Sequence, residues 1–147
     1  MSTHPAVHGG TATARLHDAV NTGDLDHVLE TIDEVVHPDL RFHAPVPLGP
    51  TGVQALKQVW TVLLRAFPDL RVETEDVITE GDKAVARNTV TGTHLGEYRG
   101  LPPTGRPVRY QEIFILRLAD DGRIAEIWGV VDVLTQLRQL GMLPDGV

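Results

Sequence analysis

The chain has no cysteine. That absence excludes disulfides, thiolate metal sites and a thiol nucleophile, suits a reducing cytoplasm, and leaves stability to packing. Basic residues are few, 13 Lys and Arg against 20 Asp and Glu, for a formal charge of -7 and a pI near 5.4. With those cations scattered, nucleic acid is excluded as a partner, because phosphates require clustered Lys and Arg. No apolar run is long enough to span a bilayer, and the opening Ser2-Thr3-His4-Pro5-Ala6-Val7-His8-Gly9-Gly10 has neither the basic start nor the apolar core of a secretory signal. A soluble protein without a membrane partner, located in the cytoplasm, is expected. There is no Gly-x-Ser-x-Gly elbow, no phosphate loop and no dinucleotide fingerprint. The histidines include His17, His27, His37, His43 and His94 but form no ligand-spaced pair, so no metal site is expected.

What remains is 147 residues with 41% hydrophobic content, enough for one compact domain that buries roughly 68% of its unfolded surface. Residues 1–10 are too polar and Gly-rich to pack and read as a disordered tail, leaving a single domain over 11–147. Ala12, Leu16, Ala19 and Val20 form a short helical stripe that stops at Gly23. Asp24 then caps a second helix carrying Leu25, Val28, Leu29, Ile32, Val35 and Val36. Pro38 interrupts the pattern, Leu40 to Ala44 reads as a strand, and the Pro-rich 45–50 stretch is irregular. Thr51 opens a third helix whose Val53, Leu56, Val59, Trp60, Leu63, Leu64 and Phe67 recur at helical spacing until Pro68.

From Leu70 the period changes to two, giving strands over 70–78, 83–94, 108–118 and 123–131 and then a short helix from Val133 to Leu140. The turns at Glu80-Gly81-Asp82 and Asp120-Asp121-Gly122 are short, so the strands should meander antiparallel, with no crossover helix for parallel pairing. The longer 96–107 connection reads as a hairpin loop or lid. Helices first and an antiparallel sheet afterwards make an α+β layer fold with a hollow between the layers.

The leading candidate for chemistry is Asp132, which closes the nearly uncharged strand Ile127-Trp128-Gly129-Val130-Val131. A carboxylate against an apolar wall holds its proton longer than one in water. Asp is equally a preferred N-cap for the helix that follows, and the two roles can coexist. Strand alternation puts Glu126, Trp128 and Asp132 on one face, where Trp128 either raises the carboxyl's pKa and stacks on a flat substrate or simply fills core. Tyr110, Glu112 and Phe114 share a face of the neighbouring strand, which reads as buried on both sides because Ile113 and Ile115 are apolar too. Glu112 is a second buried acid or the partner of Arg87 or Arg117. Arg87 can instead orient a substrate carbonyl, and His43 beside Phe42 is a pocket candidate.

Gly92-Thr93-His94, Gly96-Glu97, Gly100, Pro103-Thr104-Gly105-Arg106, Asp121-Gly122-Arg123-Ile124-Ala125-Glu126-Ile127-Trp128, Asp132 and Gln139-Leu140-Gly141, in this order and spacing, resemble the SnoaL-like polyketide cyclases of the nuclear-transport-factor-like superfamily, over about Ala12 to Pro144. The resemblance implies a curved antiparallel sheet wrapped by the N-terminal helices into a cone around an apolar pocket. It also implies an oligomer built through the sheets, a homodimer or homotetramer, and no cofactor. For function it implies a small hydrophobic, polyketide-like aromatic substrate closed by an intramolecular aldol step. In that family an aspartate at the end of the last strand, matched here by Asp132, is the acid and base. The substrate-binding candidates Trp128, Tyr110, Arg87, Glu112 and His43 come from the strand reading above and not from the resemblance. The same scaffold hosts other activities. A noncatalytic binder of a hydrophobic ligand and a hydrolase or hydroxylation-associated sibling are the alternatives. The Asp-Arg-Asp arrangement of related epoxide hydrolases is not matched around Arg87.

Overall fold

The computed structural model describes residues 4–143. Four helices, α1 (His4–Asn21), α2 (Leu25–Val35), α3 (Gly52–Ala66) and α4 (Val133–Gln139), accompany five strands, β1 (Val36–His43), β2 (Arg71–Glu80), β3 (Lys83–Thr93), β4 (Pro107–Leu118) and β5 (Ile124–Val131). Of the tail expected over 1–10, residues 1–3 lie outside the described residues, and α1 starts within the remainder. The expected Asp24 cap is present, its carboxylate accepting the His27 N–H at 3.2 Å, and Val28, Ile32 and Val35 of α2 are buried at helical spacing. Ala55, Leu56, Trp60 and Leu64 of α3 do the same. Gly81 and Gly122 take φ of 60° and 85°, the left-handed conformation that the two short turns require.

The sheet order is β1-β5-β4-β3-β2. Strands β2 to β5 form the expected antiparallel meander, but β1 pairs parallel with β5, so the sheet is mixed and the wholly antiparallel expectation is corrected. Parallel neighbours need only a long connection, and everything from α3 to β4 supplies it here. Strand β1 also begins earlier than expected and carries Pro38 within an irregular stretch between Val36 and Arg41. An edge position tolerates that missing N–H.

Register assigns the two faces. Thr74, Asn88 and Glu112 are successive cross-strand partners, and Glu112 pairs on with Val131. This row belongs to the inner face, where Ala84, Ala86, Val90, Tyr110 and Leu116 are buried. The opposite face carries Arg87 beside Ile113, Val130 beside Ile113, and Trp128 beside Ile115. Strand β4 is not buried on both sides as expected. Ile113 and Ile115 are 46% and 39% exposed, and among the described residues no other element covers them.

The 94–107 connection folds back onto the end of α3. The N–H groups of Leu95 and Gly96 both donate to the Ala66 carbonyl at 3.0 Å, and Tyr98 and Leu101 bridge antiparallel. Tyr98 is thereby buried and packs edge-on to Phe67.

Candidate active site

A cavity of about 270 Å³ lies between α3 and the inner face of β4. Leu56, Val59 and Leu63 of α3 supply one wall, the irregular Pro45–Leu48 segment another, and Tyr110, Glu112 and Phe114 the sheet side. Each sheet residue is there through alternation, positions 110, 112 and 114 sharing one side of β4. Trp60 and Phe114 stand between this cavity and a smaller one of about 40 Å³ bordered by His17 and Asn88. Phe114 can lie flat against β5 because residue 129 is glycine: a Cβ there would sit 2.4 Å from the ring.

The carboxylate on the wall is Glu112. It is 7% exposed, and burial pushes its carboxyl up to about 7, while the Asn88 amide, donating to Oε2 at 2.9 Å, pulls the other way. The Tyr110 phenol is raised well above its ordinary range, first by burial and then by Glu112 and Tyr98, while a side-chain hydrogen bond from Gln136 opposes. It therefore stays a neutral donor at any physiological pH. Gln136 is itself buried and accepts the Tyr98 hydroxyl at 2.9 Å, so this amide from α4 ties the Tyr98 phenol to the cavity wall.

The dry environment expected for Asp132 is not found. Asp132 is exposed and is the N-cap of α4, accepting the Thr135 N–H at 3.1 Å and the Thr135 hydroxyl at 2.6 Å. The Thr135 hydrogen bonds, hydroxyl first, together with the Arg138 charge, hold its carboxyl below the usual range. The apolar run before it misleads because its alternate residues face opposite ways: Val131 lines the cavity, whereas Val130 is 75% exposed. Of the two readings of Asp132, the cap is the one seen.

Three other candidates lie on the outer face and not in the pocket. His43 stacks on Trp128 with ring centroids 5.3 Å apart and donates through Nε2 to the Glu126 carboxylate at 2.8 Å. Arg117 also bonds Glu126, at 3.1 Å, and the His43 contact, more than the arginine, lowers the Glu126 carboxyl. Glu126 and Trp128 do share a face, as alternation requires, but it is the face away from the cavity. Arg87 pairs with Asp76, Nη2 at 2.6 Å and Nε at 3.0 Å, instead of with Glu112. Among the sequence candidates, then, Tyr110 and Glu112 meet at the cavity, while Trp128, Arg87 and His43 do not line it.

Sequence reasoning missed Asn88, Tyr98, Gln136 and Phe42 as site residues. For Asn88 a signal existed: it is the one amide among Ala84, Ala86 and Val90 on the inner side of β3. Buried amides of that kind have a partner, and the only acid opposite in register is Glu112.

The family model described as SnoaL-like polyketide cyclase matches residues 11–140. Aklanonic acid methyl ester cyclase DnrD of Streptomyces peucetius is 33% identical over 129 residues, 86% of each chain. Nogalonic acid methyl ester cyclase of Streptomyces nogalater is 32% identical over 125 residues, 84% of this chain and 90% of its own. Among solved structures, IdmH of Streptomyces antibioticus, a candidate polyketide cyclase, superposes with a TM-score of 0.76 at 35% identity, covering 95% of this chain and 99% of that one. AclR of Streptomyces galilaeus, a candidate hydroxylase, gives 0.81 at 29% identity, covering 95% and 89%.

Proposed function

We propose, from the premise that this chain belongs to the SnoaL-like polyketide cyclase family, that it closes a ring in a small, largely apolar polyketide ester by an intramolecular aldol reaction with Glu112 as acid and base. The supporting observation is a buried carboxyl on the wall of an apolar cavity, poised at about 7. A base works best when its pKa lies near the operating pH. The Glu112 carboxylate removes a proton from a carbon between carbonyl groups, leaving an enolate delocalised into the aromatic system. Tyr110, two residues along the same face and about 7 Å away by strand geometry, offers its O–H to the enolate oxygen. The enolate carbon forms the new C–C bond to the acceptor carbonyl carbon. The resulting alkoxide takes the same proton back from Glu112. No atom is lost and no electrons leave, so no cofactor is called for.

Asp132 is the competing assignment, because its chain neighbours Val131 and Val133 both line the cavity. Turnover of aklanonic acid methyl ester and nogalonic acid methyl ester by Glu112→Gln and Asp132→Asn separates the two. Loss of about 10²-fold or more in kcat is expected for Glu112→Gln, the usual worth of a general base, with Asp132→Asn close to wild type; the reverse pattern gives the role to Asp132. Substrate and product of equal mass mark ring closure, whereas hydrolysis or hydroxylation adds mass. Saturable binding with no product, unaffected by Glu112→Gln, would instead identify a noncatalytic binding module.

The same proposal includes a second copy of the chain on the outer sheet face. Ile113, Ile115 and Val130 are exposed there beside the Trp128 and His43 stack, and contiguous apolar surface of this kind marks an interface. A homodimer or homotetramer is expected, and Val130→Asp should shift its sedimentation toward the monomer. A cytoplasmic location belongs to this reading too, resting on the cysteine-free sequence. Among the described residues no helix is long and apolar enough to cross a membrane.

A further inference from the structure

A line of side chains runs from α1 to Glu112 across three strands, and each link is a hydrogen bond. The His17 ring Nδ1 lies 3.2 Å from Thr74 Oγ1, Thr74 donates to Asn88 Oδ1 at 2.9 Å, and Asn88 Nδ2 donates to Glu112 Oε2 at 2.9 Å. Register makes the line possible, since Thr74, Asn88 and Glu112 are cross-strand partners on the inner face. Asn88 is fully buried, and His17 and Asn88 border the small cavity behind Trp60 and Phe114, apart from the large one.

The direction of the chain follows from its donors. A hydroxyl has one proton, and Thr74 gives it to Asn88, so the contact with His17 requires the hydrogen on Nδ1 of the ring. Burial holds His17 neutral, its pKa lowered to about 4 against the opposing pull of Asp18, and a neutral ring has one such hydrogen to give. Every bond therefore points from α1 toward Glu112. An amide does not pass protons along, so the line orients the acid and does not carry protons to solvent.

Resting on the assignment of Glu112 as the base, we propose that His17, Thr74 and Asn88 are positioning residues that commit Oε2 of Glu112 to accepting a hydrogen bond and leave Oε1 as the oxygen that exchanges the substrate proton. A proton placed on Oε2 would face the Asn88 N–H, hydrogen against hydrogen. The other titratable group coupled to this carboxyl is the Tyr110 phenol, which the Glu112 charge helps to raise. None of the three positioning residues lies where the substrate would touch it.

The test reads the carboxyl itself. The infrared band of protonated Glu112, identified by its loss in Glu112→Gln, is titrated in the wild type, Asn88→Leu, Thr74→Val and Thr74→Ser, alongside the pH profile of kcat on aklanonic acid methyl ester. Removing the donor should raise the midpoint by on the order of one pH unit in Asn88→Leu. Thr74→Val should raise it less, because Asn88 stays but is free to turn its carbonyl toward the acid, and Thr74→Ser should restore it. An unmoved midpoint in both Asn88→Leu and Thr74→Val overturns the inference and leaves Glu112 as the base. Full turnover by Glu112→Gln overturns the base assignment, whatever the band does. Should Asn88→Leu fail to fold, the Thr74 pair decides, since Thr74 lies exposed on the edge strand β2.

Discussion

Glu112 and Asp132 stand one register step apart and have opposite chemistry. Glu112 pairs across the ladder with Val131, the residue just before Asp132. Glu112 faces the cavity with burial raising its carboxyl to about 7, and Asp132 stands in solvent with two hydrogen bonds from Thr135 lowering its own. Both border apolar stretches of strand, Asp132 at the end of Ile127 to Val131 and Glu112 at the start of Ile113 to Leu116. What separates them is the side of the sheet and what the carboxyl meets there: a packed wall with one amide donor, or a helix N-terminus offering several. Burial and donors push a carboxyl in opposite directions, so the hydropathy of chain neighbours says little about which wins.

The largest expected difference between the two is in catalysis, the Glu112→Gln and Asp132→Asn pair described above. Next comes the pH dependence of stability, where Glu112 has an opponent in His17. The folded pKa of Glu112 is raised from 4.5 to about 7, so the unfolded state sheds the proton first and stability from this group falls as pH rises from 4.5 through 7. The folded pKa of His17 is lowered from 6.5 to about 4. There the unfolded state binds the proton first, and stability is lost as pH falls from 6.5 through 4. Over the shared window each slope reaches about 1.4 kcal/mol per pH unit with opposite sign, so the wild type should be nearly flat. Glu112→Gln should gain about 3 kcal/mol between pH 4 and 6.5, and His17→Gln should lose about as much between pH 4.5 and 7. Urea unfolding at fixed protomer concentration measures this. A wild-type curve as steep as either variant would mean that one of the two groups is not buried as described.

Much of the fold was legible because it rests on periodicity. The stripes of α2 and α3 and the alternation of β3 to β5 survive with small boundary shifts, and the glycine turns have the backbone their residues demand. The parallel β1–β5 pairing was not legible, because nothing local in Leu40 to Ala44 tells which edge it will join. The site was half legible for a related reason. Alternation correctly grouped Glu126 with Trp128 and Tyr110 with Glu112, but a period of two cannot say which group faces the helices. Ile113, Ile115 and Val130 made the outer face look like core, because an apolar residue left exposed reads the same in sequence as one covered by a helix.

The smallest effect concerns what Asp132 does if it is a cap alone. Asp132→Ala removes the acceptor for the Thr135 N–H and hydroxyl, and loss of an N-cap costs about 1 kcal/mol. Asp132→Asn and Asp132→Ser keep an acceptor and should recover most of it, though each gives up the favourable charge at the helix end. Helix α4 carries Gln136, which holds Tyr98 and borders Tyr110. Fraying of its first turn should therefore reach the cavity indirectly, raising KM for the cyclisation substrate more than it lowers kcat. An acid and base role predicts the opposite split, with kcat falling in Asp132→Asn as severely as in Asp132→Ala. Comparing the two variants by denaturant midpoint and by kinetics thus separates a carboxylate that positions a helix from one that moves a proton.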